Sequence, residues 1–119
     1  MKSFESVIHK GKRICIVDIS NSQPQDALTV LNESQNQISK LISKTALIIT
    51  DVSNTVYNKD SAAAFKKFAL RNTHYIKASA VVGADSIRAF LLIMVAALTG
   101  RNIKSFKTRD EALDWLATK

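Results

Sequence analysis

One cysteine, one proline and three glycines are the chain's whole stock of residues that staple or punctuate a backbone, out of 119. The single Cys15 excludes a disulfide within the chain. It lies in the apolar run Ile14-Cys-Ile-Val17, where a thiol reads as buried and inert. The scarcity of proline and glycine excludes a disordered linker or a low-complexity segment, and no internal repeat is visible. Aromatic residues make up only 7% and are not interleaved with the basic ones. The net charge of +7 is scattered through Lys10, Lys12, Arg13, Lys66, Lys67, Arg101, Lys104, Lys107 and Arg109. That distribution argues against a nucleic-acid surface.

Long apolar runs are missing too. Ala89–Leu98 is the longest, and it is too short to cross a bilayer. Met1–Ile8 carries Lys2 and Glu5, so it does not read as a secretion signal. These features predict a soluble, cytoplasmic protein. There is no GxGxxG, P-loop or GxSxG motif. His9 and His74 have no partner at metal-ligand spacing, so neither a metal nor a cofactor is predicted.

What is present reads as one α/β domain covering residues 1–119, large enough for a single core. Phe4–His9 and Arg13–Ile19 are predicted strands of a hairpin, with Gly11 at positive φ. Pro24 suits a helix's first turn, and apolar Leu28, Leu31, Ile38, Leu41 and Ile42 extend that helix to about Ser43. Ala46–Asp51 reads as a central strand. A second helix opens at Asp60, buries Phe65 and Phe68, and meets a left-handed stop at Asn72.

Next comes a stretch that organises the rest. Ile76, Ala78, Ala80 and Val82 alternate with Tyr75, Lys77, Ser79 and Val81 as in a covered strand. Gly83 turns the chain into a long apolar helix closed by Gly100. Asn102–Phe106 is a last strand, and Thr108-Arg-Asp-Glu111 is a capping box opening a final helix with Trp115 as a core anchor. Strands alternating with helices imply a mainly parallel sheet with an N-terminal hairpin and about four helices.

In such a sheet, ligands bind beyond the carboxyl ends of the strands. Those ends carry Asp18-Ile-Ser20, Thr50-Asp51-Val-Ser53-Asn-Thr55 and Gly83-Ala-Asp85-Ser86. Free helix amides nearby would favour a small anion. Asp18 and Asp51 invite comparison with the acidic pocket of response-regulator receivers. That reading fails because Asp18 has no acidic neighbour and five strand–helix units do not fit.

The element order, together with Tyr75-Ile-Lys-Ala-Ser-Ala-Val-Val-Gly83, Leu98-Thr-Gly-Arg101 and Phe106-Lys-Thr-Arg-Asp-Glu-Ala-Leu-Asp-Trp-Leu116, resembles the SpoIIAA-like (STAS/CRAL-TRIO-like) proteins. These are related to the STAS domains of anti-sigma-factor antagonists. The resemblance implies the STAS fold and a non-enzymatic regulatory or protein-binding module. In the antagonists an Asp-Ser pair opens the second helix and the serine is phosphorylated. Asp60-Ser61 falls at the matching place, followed here by Ala62-Ala63-Ala64. Ser61 is therefore the candidate phosphoacceptor. Asp18, Asp51, Ser53, Thr55, Asp60, Gly83, Asp85 and Ser86 form the candidate surface for a protein partner. The lipid-binding relatives imply an alternative, an amphipathic or lipid-like ligand held beside the apolar helix. Part of that helix, Ala89–Leu98, would also serve a homodimer.

Overall fold

The computed structural model describes residues 4–42, 45–56, 58–72, 74–83 and 103–119. Five strands form one mixed sheet: β1 (Phe4–His9), β2 (Lys12–Asp18), β3 (Ala46–Asp51), β4 (Ile76–Val82) and β5 (Ile103–Phe106). They lie side by side in chain order, β1 antiparallel to β2 and the rest parallel. The described helices are α1 (Pro24–Ile38), α2 (Lys59–Asn72) and α3 (Arg109–Ala117). A mixed α/β sheet with an N-terminal hairpin is thus the observed architecture. The fourth helix expected around Ala89–Leu98 lies outside the described residues, as do Asp85, Ser86 and Gly100.

Alternation sorts the buried side chains onto two faces. Cys15, Val17 and Ile48 pack with Val30, Leu31 and Ile38 of α1 and with Phe65 and Phe68 of α2. Ile14, Ile16, Leu47, Ile49, Ala78 and Ala80 form the other face, under Ala112 and Leu116 of α3. Every residue of β3 is buried, as its near-continuous apolar run predicts. Cys15 is buried, and desolvation pushes its thiol above the ordinary value, against the pull of the nearby Arg13 charge. Trp115 packs at the margin of the α3 core with its ring 5.6 Å from that of Phe106.

The hairpin turns on two residues, Lys10 (φ 50°) and Gly11 (φ 80°), the backbone of a type I′ turn. Thr108 caps α3 by accepting the Glu111 amide at 3.3 Å. The Glu111 carboxylate meets the Thr108 hydroxyl at 3.1 Å, so the box closes between side chains.

Four expectations change. First, α1 ends at Ile38, not near Ser43, and the Ser39 hydroxyl bonds back to the Asn36 carbonyl at 2.9 Å. Asn36 and Ser39 are weak helix formers, and Ser39 competes for backbone groups. Ile42 consequently leaves the inner stripe and is 77% exposed. Second, β4 does not alternate cleanly. Ala46 pairs with Ile76 and Leu47 with Ala78, a register shift that leaves Lys77 as the extra residue. This bulge puts Ile76 with the α1/α2 core, whereas Ala78, Ala80 and Val82 face α3. Third, Asn72 is the last helical residue, and positive φ among described non-glycine residues is confined to Lys10, Asn21 and Asn54. Asn72 itself is therefore not left-handed, and its carbonyl accepts the Tyr75 amide at 2.9 Å. Fourth, α2 opens at Lys59, one residue ahead of Asp60.

Ser34, in the middle of α1, is fully buried, and its hydroxyl meets no partner among the described residues. Ser34→Ala removes that desolvated group and installs a better helix former. It is expected to raise the unfolding free energy by about 1 kcal/mol in a urea titration. A loss of stability would show that the hydroxyl is satisfied.

Candidate functional site

The parallel ladder continues past the strand ends and builds a rim. Ile19 donates its amide to the Asp51 carbonyl (3.1 Å), Asn21 to Ser53 (2.7 Å), Val52 to Val82 (2.9 Å) and Gly83 to Phe106 (3.1 Å). Cross-braces tie the loops together. The Thr55 hydroxyl donates to the Ile19 carbonyl at 2.7 Å, and the Val56 amide to the Ser22 carbonyl at 2.9 Å. Asn21 and Asn54 both take left-handed backbones, and their side-chain amides meet at 3.2 Å. Asparagine tolerates that conformation better than most residues.

Asp18 and Asp51 end β2 and β3 as register partners, so their side chains emerge together on the α3 face. Arg109, the first residue of α3, reaches over both. Its Nε is 2.8 Å from Asp51 Oδ2 and one terminal nitrogen is 3.1 Å from Asp18 Oδ2. Glu5 of β1 lies further out, 3.7 Å from the other terminal nitrogen. The second oxygen of each aspartate is also engaged. Asp18 Oδ1 accepts the Ser20 amide (3.0 Å) and hydroxyl (2.6 Å), and Asp51 Oδ1 accepts the Ser53 amide (3.0 Å).

These contacts set the electrostatics. Desolvation pulls the Asp18 carboxyl upward. The two Ser20 hydrogen bonds and the Arg109 guanidinium outweigh it and hold Asp18 below the usual carboxylate range. Burial likewise pulls Arg109 downward, but Asp51 and Asp18 outweigh it and keep its guanidinium above its ordinary value. The rim is therefore a charge clamp in which acids are paired to a cation and to backbone amides.

Ser61 belongs to a different device. Its hydroxyl accepts the Asn58 amide at 2.9 Å, and the Asn58 side-chain oxygen accepts the Ser61 amide at 2.8 Å. This is a reciprocal cap on α2, with serine where a capping box usually has Glu or Gln. Ser61 is only 1% exposed, whereas Asp60 beside it is exposed. Ser61→Ala removes half the cap and is expected to cost about 1 kcal/mol. Hydrogen exchange should then quicken at the first amides of α2, with the sheet unchanged. Unchanged exchange there would deny the cap its role.

Of the predicted site residues, Asp18, Asp51, Ser53, Thr55 and Gly83 share the rim. Asp60 and Ser61 sit at the start of α2, down the same loop. Among the described residues no group of three or more His, Cys, Asp or Glu is placed to hold a metal. His9 instead bonds Asp114 of α3 at 2.8 Å, alongside Lys10 at 3.0 Å. Arg109 was missed as a site residue. The signal for it was its position, one residue after a helix cap that follows the last parallel strand. That position delivers a cation to the strand ends where two acids wait. No described helix is long and apolar enough to cross a membrane. No protein-family model matches the chain, and neither a curated protein nor a solved structure matches it.

Proposed function

We propose that the protein is a non-enzymatic regulatory and protein-binding module of the SpoIIAA-like/STAS type, presenting the rim and the start of α2 to a protein partner. The observation that carries this reading is the clamp of Arg109 on Asp18 and Asp51. A general base needs a carboxylate free to take a proton near neutral pH, and Asp18 is held below the usual range by its partners. The same bonds fix the loops as a rigid surface, which lowers the entropy lost on docking. Val56, 47% exposed on a loop braced to Ser22, gives that surface an apolar contact.

Regulation is assigned to Ser61. A kinase reaches its hydroxyl only when the Asn58–Ser61 cap opens. The phosphate then adds about −1.5 to −2 charges beside the helix N-terminus, where the dipole favours it. The partner would meet a changed charge next to exposed Lys59 and Asp60.

The test is quantitative capture from the protein's own cells with wild-type, Val56→Glu and Ser61→Glu baits. A partner held by the wild type and lost from both variants supports the module. An identical set of proteins on all three baits contradicts it.

One observation favours the alternative of an amphipathic-ligand carrier. An open groove of about 320 Å³ is lined by Cys15, Leu41, Ile42, Ala46 and Leu47, with Arg13 and Lys40 at its edge. Apolar walls beside two cations suit a ligand with an acyl chain and an anionic head. The pocket expected from the sequence, beside the helix over Ala89–Leu98, lies outside the described residues.

A further inference from the structure

We infer that β1 is a self-association edge. Two copies of the chain pair β1 to β1, antiparallel across a two-fold axis at Val7, and join their sheets into one. This contact goes beyond the module reading and uses another part of the molecule.

β1 is the first strand of the sheet, and no described strand lies on its outer side. The two-residue turn at Lys10 and Gly11 makes His9 and Lys12 a hydrogen-bonded pair. Alternation then directs the backbone groups of Glu5, Val7 and His9 toward β2. Those of Phe4, Ser6 and Ile8 point outward. The β1–β2 register runs without a shift from Phe4 to His9, so no bulge twists this edge away.

Protein edges are normally guarded by proline, by lysine or by a bulge. Residues 4–9 contain neither proline nor lysine. Lys10, which could guard the end, is drawn onto Asp114 of α3 at 3.0 Å. Ile8 is 72% exposed on the strand.

The edge complements itself, which identifies the occupant as a second copy. With the axis at Val7, Ser6 and Ile8 of each chain form hydrogen-bonded pairs with Ile8 and Ser6 of the other. Four inter-chain hydrogen bonds result. Val7 faces its own counterpart on the α3 side, and the two Ile8 side chains become diagonal neighbours on the α1 side. Glu5 of each copy falls opposite His9 of the other, so no two like charges meet at either end. The +7 charge on each chain opposes the contact at long range. Salt screens that repulsion, so association should strengthen as ionic strength rises.

The test is sedimentation velocity of the full chain over a wide concentration range at low and moderate salt. Wild type should show a reversible monomer–dimer equilibrium, with more dimer at higher concentration and at higher salt. Ser6→Pro removes an outward amide that β2 does not use. Ile8→Lys sets two like charges diagonally across the axis on a side chain already exposed, so it leaves folding intact. Each should raise the dissociation constant by about tenfold or more, with circular-dichroism melts close to wild type for Ile8→Lys. A wild type that stays monomeric throughout overturns the inference, including one whose edge instead accepts an added strand peptide. A dimer indifferent to Ile8→Lys overturns it as well.

Discussion

Gly83→Ala is expected to lower the unfolding free energy by about 2–4 kcal/mol, the largest loss from adding one methyl group anywhere in the described rim. Two costs add. Gly83 has φ +76°, a left-handed backbone that alanine adopts only with strain. A Cβ there would also lie 2.8 Å from Ser53 Cβ and 2.9 Å from Ser53 Cα. The second of these atoms is backbone, so no side-chain rotation relieves the crowding. The loop after β3 would have to move, and with it the brace from Asn21 to the Ser53 carbonyl. A urea titration measures the loss. Ser53→Gly should rescue Gly83→Ala only in part. It removes the clashing Ser53 side chain but leaves the crowding against the Ser53 backbone and the left-handed strain. Near-wild-type stability of Gly83→Ala would mean that the loops do not pack as described.

Arg109→Met is expected to cost about 2–3 kcal/mol at pH 7. Removing one partner of a buried ion pair typically costs more, but Arg109 is 34% exposed and solvent screens the remaining charges. Methionine keeps most of the side-chain stem, so lost packing contributes little. The signature is in the pH dependence. The folded-state pKa of Asp18 is depressed, so its contribution is complete above its unfolded value of about 3.9 and fades as pH falls through the lower folded value. Wild type should therefore keep this increment at pH 5 and lose it progressively below about pH 4. In Arg109→Met the Asp18 carboxyl loses one of the groups that hold it down, so acid removes less. The stability difference between the two proteins should be widest near neutrality and narrow in acid. A difference independent of pH would indicate lost packing, not a lost charge clamp.

Much of the fold was legible because it is written in local signals. The apolar run of β3, the Lys10-Gly11 turn, Pro24 at the start of α1 and the Thr108–Glu111 box each depend on neighbours within a few residues. What escaped depends on distant groups. The bulge at Lys77 exists because Leu47 pairs with Ala78, and the strand's own alternation carries no trace of it. The early end of α1 reflects competition by Ser39, which outweighs an apolar pattern that continues to Ile42.

The site divides the same way. Asp18 and Asp51 were found because strand ends in a parallel sheet are a known address for polar groups. Their partner came from the far end of the chain, 58 positions beyond Asp51, and only the assembled sheet brings it near. Ser61 was singled out by resemblance, but its reciprocal bond with Asn58 could have been read directly. Asn followed three residues later by Ser satisfies the geometry of a capping box with an unusual acceptor. The burial of that hydroxyl makes the cap the gate through which any modification must pass.

The most direct test of the regulatory reading is native mass spectrometry of the intact protein purified from its own cells, with fragmentation to locate any added mass. The account predicts two populations, a bare chain and one bearing a single phosphoryl group on Ser61. A chain that is never phosphorylated at Ser61, and that instead retains one small amphipathic molecule, would contradict it and move the function to the groove beside Leu41 and Ile42.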